Sequence, residues 1–170
     1  MGQVISQDDL ILQRQTWKGN GQSAVFVGGW FDLLHPGHIR LLEQARSYGD
    51  VLVVGVKSGR VASEEKAGSN GSGSNFAHQI TPVAERAEIL SELASVDYVV
   101  ECEGESADAL ITRLCPEILV ESVSAMNAAP GLHVNPEGER GMKTIRLLRE
   151  PGYSTEQLLA RIMQSPQSPA

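Results

Sequence analysis

The sequence predicts an α/β protein, a Rossmann-like open parallel sheet of about five strands with helices on both faces. Three observations carry that expectation. Residues 24–27, 51–56, 96–100 and 118–120 are short and mostly continuous apolar runs, the pattern of strands covered on both faces. Segments with apolar residues at helical spacing lie between them. Strand and helix alternate along the chain, which implies right-handed crossovers between parallel strands.

Each element has its own local signal. Ser6-Gln7-Asp8-Asp9 fits a helix start, with Ser6 as N-cap and an acid three residues on. That helix should run to about Trp17 and stop in Gly19-Asn20-Gly21. Leu41, Leu42, Ala45 and Tyr48 share a helical face, and Gly49 is placed to end that helix. Val83, Ala87, Leu90 and Ala94 form another stripe, opened by Thr81 as cap and Pro82 at the first helical position. Ser106 is expected to cap a third helix, ending before Pro116. A weaker strand is expected at 144–148. Ser154-Thr155-Glu156-Gln157 reads as a capping box for a last helix whose Leu158, Leu159, Ile162 and Met163 face inward. Residues 68–75, rich in Gly and Ser, should form a flexible loop, and 165–170 a frayed tail. The whole is expected to be one domain, residues 1–164.

The 170 residues suffice for one full core, and the formal charge of −7 argues against a nucleic-acid surface. No apolar run is long enough for a membrane span, and residues 1–4 lack a signal pattern; the expected location is the cytoplasm. Cys102 and Cys115 have no partners at zinc-like spacing and read as small apolar residues.

The chemistry should sit beyond the carboxyl end of the strand at 24–27, because open parallel sheets bind ligands there. Residues 29–38 read Gly-Trp-Phe-Asp-Leu-Leu-His-Pro-Gly-His. His35 and His38 are spaced i, i+3 at the mouth of a helix, so both imidazoles can point one way. The amides of the same turn favour an anion. Fixed donors of this kind stabilise the charge that builds on non-bridging oxygens in phosphoryl transfer. The other reading is a cap and a solvated histidine. A zinc site lacks a third ligand nearby. A dinucleotide fingerprint fails because Gly19-Asn20-Gly21 precedes the strand, and a P-loop fails because no Lys-Ser/Thr follows 68–73.

The motif at 29–38 resembles the signature of the cytidylyltransferase-like nucleotidyltransferases. Residues 41–46, 49–56, 81–90, 96–97 and 151–155 are also similar to that family, so the likeness covers most of 4–163. It is stronger to the nucleotidyltransferase half of ADP-heptose synthase than to glycerol-3-phosphate cytidylyltransferase, which favours ATP over CTP. The resemblance implies that His35 and His38 contact the triphosphate and stabilise the pentavalent state. It implies that the amides of Gly29, Trp30 and Phe31 meet phosphates, and that Asp32 orders the substrate phosphate or a magnesium ion. Ser154 and Thr155 would cradle the outer phosphates, or simply cap a helix. Arg149 would neutralise phosphate, or be a surface charge. Lys66 would supply a mobile cation, or be a surface lysine. Arg86 has a family counterpart, and also reads as a solvated helix-face residue or a dimer contact. Magnesium would arrive on the NTP phosphates with no metal site of the protein's own. The partners implied are an NTP and a small phosphorylated substrate, with a homodimer as the assembly.

One segment departs from the family. Where heptose-type relatives carry Lys-Gly-Gly-Asp-Tyr, this chain has Glu121-Ser122-Val123-Ser124-Ala125. An acid beside bound phosphate should cost affinity. Residues 127–140 read as an irregular loop, in which His133 and Arg140 could contact substrate. Two hypotheses therefore stand: an enzyme that transfers a nucleotidyl group to a sugar or polyol phosphate, and a catalytically decayed nucleotide-binding or assembly protein on the same fold.

Overall fold

The computed structural model describes residues 1–57, 80–102, 107–123, 133–135 and 141–164. In chain order they form β1 (Gln3–Ile5), α1 (Gln7–Gly19), β2 (Ala24–Gly29), α2 (Pro36–Arg46), β3 (Val51–Lys57), α3 (Val83–Ser91), β4 (Tyr98–Cys102), α4 (Ala107–Leu114), β5 (Ile118–Val123), β6 (His133–Asn135), β7 (Lys143–Leu148) and α5 (Thr155–Gln164). The strands make one sheet of seven in the order β1-β4-β3-β2-β5-β7-β6. Every pairing is parallel except that of β6 with β7. The parallel α/β architecture is as expected, with seven strands in place of about five.

The period of two in the strands sorts the apolar runs onto two faces. Val25, Val27, Leu52, Val54 and Val56 pack with Leu42 and Ala45 of α2 and Ala87 and Leu90 of α3. Ala24, Phe26, Val51 and Val53 pack with Leu10 and Trp17 of α1 and Leu110 and Leu114 of α4. The connections explain this division. The crossovers β2-α2-β3 and β3-α3-β4 step along the sheet one way, while β1-α1-β2 and β4-α4-β5 step the other way. One handedness throughout then requires the two helix pairs to lie on opposite faces.

Caps and turns largely follow the local signals. The Ser6 hydroxyl accepts from the Asp9 amide at 3.1 Å, and α1 ends at Gly19 with Asn20 as its C-cap. Cys115, with φ of 46°, ends α4 just before Pro116. Four local expectations are corrected. Helix α3 starts at Val83 with Pro82 at the N-cap, because Thr81 instead donates its hydroxyl to the Asp32 carbonyl at 3.0 Å. That helix ends at Ser91, which leaves Ala94 outside its buried stripe and exposed. Helix α2 ends at Arg46 with Ser47 as its C-cap, and Gly49 serves close packing: a Cβ there would stand 2.6 Å from Val25 Cγ2. Ile162 and Met163, expected to face inward, are 61% and 76% exposed, and no described residue of α5 is buried.

Two predicted segments, the loop at 68–75 and the tail at 165–170, lie outside the described residues, as do Ser106 and Arg140. Within 127–140, expected to be irregular, residues 133–135 form β6, paired from His133 opposite Arg146 to Asn135 opposite Thr144. No helix among the described residues is long and apolar enough to cross a membrane.

Candidate active site

The sheet reverses its order of connection at β2. The chain leaves β2 through α2 to β3 on one side, and reaches β5 on the other side through α4. Ligand crevices form at such a switch point, beyond the carboxyl ends of the strands. Residues 30–35 cross this point and deliver His35 to the N-cap of α2 and His38 to its first turn.

The two imidazoles stack, with ring centroids 3.8 Å apart and planes 14° from parallel. The edge of Phe31 meets His38 at 5.2 Å. Phe31 is buried and has a φ of 50°, a left-handed conformation that a bulky residue rarely adopts. The ring lies so close to Gly29 that a Cβ there would be 2.7 Å from it. Nδ1 of His35 and of His38 is buried without a hydrogen-bond partner. That leaves Nε2 as the nitrogen of each ring that reaches the open side.

Burial lowers the pKa of His35 from its ordinary value. For His38, burial first, then the charges of His35 and Arg149, bring the pKa down to about 4. Both rings are therefore neutral at pH 7 and can each offer one N–H to an anion. Arg149, at the end of β7, donates its amide to the Val123 carbonyl at 2.9 Å. Its charge is close enough to His38 to be felt there.

Ser154 and Thr155 open α5 beside α2. The Ser154 hydroxyl accepts from the Gln157 amide at 3.2 Å, so it caps the helix. Tyr153, just before it, stacks over His35 with centroids 6.4 Å apart. Gly37 makes this approach possible, since a Cβ there would lie 3.1 Å from His35 Nδ1 and 3.2 Å from Tyr153 Cβ. The geometry thus joins residues from 29–38 and 149–155, which are over 100 positions apart in sequence. Lys66 lies outside the described residues.

Asp32 turns to the loop before α3. Its carboxylate accepts from the amides of Ile80, at 3.1 Å, and Thr81, at 2.8 Å. Arg86, read from sequence as solvated or at a dimer contact, is instead 1% exposed. It donates to the carbonyls of Thr81 at 2.9 Å, Lys57 at 3.0 Å and Trp30. Its pKa is lowered by burial, against the opposing pull of Asp32 and Glu101. One guanidinium therefore pins three segments that meet at the carboxyl end of the sheet. Lys57 extends its ammonium over the Trp30 ring, 5.5 Å from the centroid. Sequence gave no signal for these clasps, because their partners are carbonyls brought together only by the fold.

Glu121 is not where its sequence position suggested. Val120 lies in the core facing α2 and α3, so the next residue points to the other face. There Glu121 pairs with Arg146 at 2.9 Å, its register partner on β7. The acid faces away from the histidines and carries its own counter-charge.

The donors gathered at the site are imidazoles, a guanidinium, hydroxyls and helix amides, a set suited to phosphate oxygens. Among the described residues no group of three His, Cys, Asp or Glu could hold a metal ion.

Comparison with known proteins identifies the family. The cytidylyltransferase-like family matches residues 26–155. The bifunctional protein HldE of Koribacter versatilis is 33% identical over 159 residues, which is 93% of this chain and 31% of that protein. HldE of Aliarcobacter butzleri is 42% identical over 101 residues, 59% of this chain and 20% of that protein. The chain spans about a third or less of the length of these curated relatives. A lipopolysaccharide core biosynthesis protein from Thermoplasma volcanium has a similar structure, with a TM-score of 0.50 and 27% identity over 60% of this chain and 75% of its own. The chain belongs to the cytidylyltransferase-like family of nucleotidyltransferases.

Proposed function

We propose that residues 1–164 form one catalytic unit that transfers a nucleotidyl group from an NTP to a sugar or polyol phosphate. ATP is slightly favoured over CTP, only because the sequence likeness to the nucleotidyltransferase half of ADP-heptose synthase is the stronger one. The observation that carries this reading is the stacked pair His35 and His38 at the N-terminus of α2. Its buried Nδ1 atoms leave two Nε2 donors for the phosphates.

In the proposed reaction an oxygen of the acceptor phosphate attacks the α-phosphorus in line. The bond to the bridging oxygen breaks, and pyrophosphate leaves with the electron pair. No protein nucleophile is needed. His35 and His38 would hold charge on the non-bridging oxygens, with the amides of Gly29, Trp30 and Phe31 nearby. Arg149, Ser154 and Thr155 would receive the outer phosphates, and Lys66 would add a cation. Asp32 would act mainly by fixing the loop at 80–81. Magnesium, carried on the triphosphate, would offset the repulsion between donor and acceptor. A cytoplasmic homodimer is the expected setting. The charge argument for the decayed-site alternative weakens, since Glu121 faces away and is paired; the loss of the family glycines after it still favours that alternative.

The test crosses ATP and CTP with a panel of sugar, polyol and amino-alcohol phosphates, with magnesium, and follows pyrophosphate release. Release that needs one NTP and one acceptor identifies both substrates. No release, together with no NTP binding by calorimetry, would overturn the proposal.

A further inference from the structure

A histidine that works as a donor is usually oriented by a hydrogen bond at its other ring nitrogen. No other residue supplies such a bond to His35: its Nδ1 is buried without a neighbouring partner, and the one hydrogen-bond influence on the ring comes from its own backbone. The torsion that turns an imidazole is broad, so nothing intrinsic fixes the ring. What surrounds His35 is a stack. His38 stacks on it at 3.8 Å, and the Tyr153 ring lies 6.4 Å away with planes 28° apart.

Tyr153 is itself held. The Arg40 guanidinium sits 5.4 Å from its ring centroid, and Arg40 pairs with Glu150, three residues before Tyr153. The Tyr153 amide donates to the Glu150 carbonyl at 3.4 Å. Exposed pairs of this kind add little stability. They do fix a direction, and here that direction runs from α2, through Arg40 and the Tyr153 ring, back to the histidine at the cap of α2.

We infer that Tyr153 is a positioning residue for the transfer reaction: its ring, clamped by Arg40 and Glu150, does the work of a hydrogen bond from another residue and aims His35 Nε2 at the phosphates. The inference rests on the nucleotidyltransferase reading of the site. It concerns the ring and not the hydroxyl. Because His35 serves the transition state, misaiming it lowers kcat more than it raises KM. Mere loosening of α5 would instead disturb Ser154 and Thr155 and raise KM.

The test compares Tyr153→Leu, Tyr153→Phe and Arg40→Gln in the full chain. Steady-state pyrophosphate release is measured alongside the proton resonances of the imidazoles. For Tyr153→Leu, kcat is expected to fall on the order of tenfold or more, with KM changed less than about threefold. The His35 Cε1–H resonance should move downfield as the ring current is lost. Tyr153→Phe should restore both the rate and the resonance, and Arg40→Gln should fall between. Unchanged kcat in Tyr153→Leu, equal losses in Leu and Phe, or a loss confined to KM would each overturn this inference alone. A wild-type chain that neither binds NTP nor releases pyrophosphate would overturn it together with the reading beneath it.

Discussion

His38 lies flat against His35, 3.8 Å away, and cannot take up a proton at the ordinary histidine pH. The unfolded chain protonates this residue near pH 6.5 and the folded chain near 4. Between those values the unfolded state holds more protons, so stability falls as pH drops through the window and levels off below it. The expected loss from this residue is roughly 1–2 kcal/mol, less than the full shift implies because one side of the ring is open to solvent. Denaturant unfolding at pH 7 and pH 4.5 should show a smaller acid loss in His38→Gln than in wild type. Equal losses would contradict the assigned environment.

Arg86 closes three loops around the site. Arg86→Met would leave the carbonyls of Trp30, Lys57 and Thr81 without their donor. The cost to folding should be about 3–5 kcal/mol, measured by urea denaturation. Arg86→Lys should recover only a part, because a single ammonium cannot span carbonyls on three segments.

Asp32 holds the chain before α3 through two amides. Asp32→Asn keeps one acceptor oxygen and places an amino group where the other stood. A loss of about 1–3 kcal/mol in stability is expected. If its task is to fix the loop and not to carry metal, raising magnesium should leave the variant's defect in pyrophosphate release unchanged. Rescue by high magnesium would contradict that account.

Glu121 and Arg146 form a partly exposed pair on the face opposite the histidines. Glu121→Gln should therefore cost less than about 1 kcal/mol. Its effect on kcat/KM for the NTP should stay within about twofold, since one factor of ten needs 1.4 kcal/mol of transition-state energy. A large gain in NTP affinity would show that the acid does face the phosphates.

What was legible in the sequence was local. The runs at 24–27 and 51–56 declared strands covered on both faces, and the histidines at 35 and 38 declared a site because one helical turn aligns them. The edge strands did not declare themselves. Gln3–Ile5 is three residues long and mostly exposed, and it exists because it adds to Tyr98–Val100, more than 90 positions away. His133–Asn135 likewise depends on β7. Arg86 gave no sign of burial, because the three carbonyls that satisfy it come from separate loops. Tyr153 was visible only as part of a motif; its contact with His35 depends on how α5 meets α2. The outward turn of Glu121 required the pleat phase of β5, which a strand of mixed polarity does not reveal. The end of α5 misled in the opposite sense: Ile162 and Met163 fit a buried stripe, but both are exposed.

The most direct test of the central claim is a single-turnover comparison of wild type with His35→Ala and His38→Ala. The NTP and acceptor are those found by the substrate panel, and NTP affinity is measured on the same samples. Each variant should bind NTP within about an order of magnitude of wild type, yet transfer the nucleotidyl group at least a hundredfold more slowly, as expected when transition-state donors are removed. Transfer at the wild-type rate in either variant would contradict the assignment of this histidine pair as the catalytic centre.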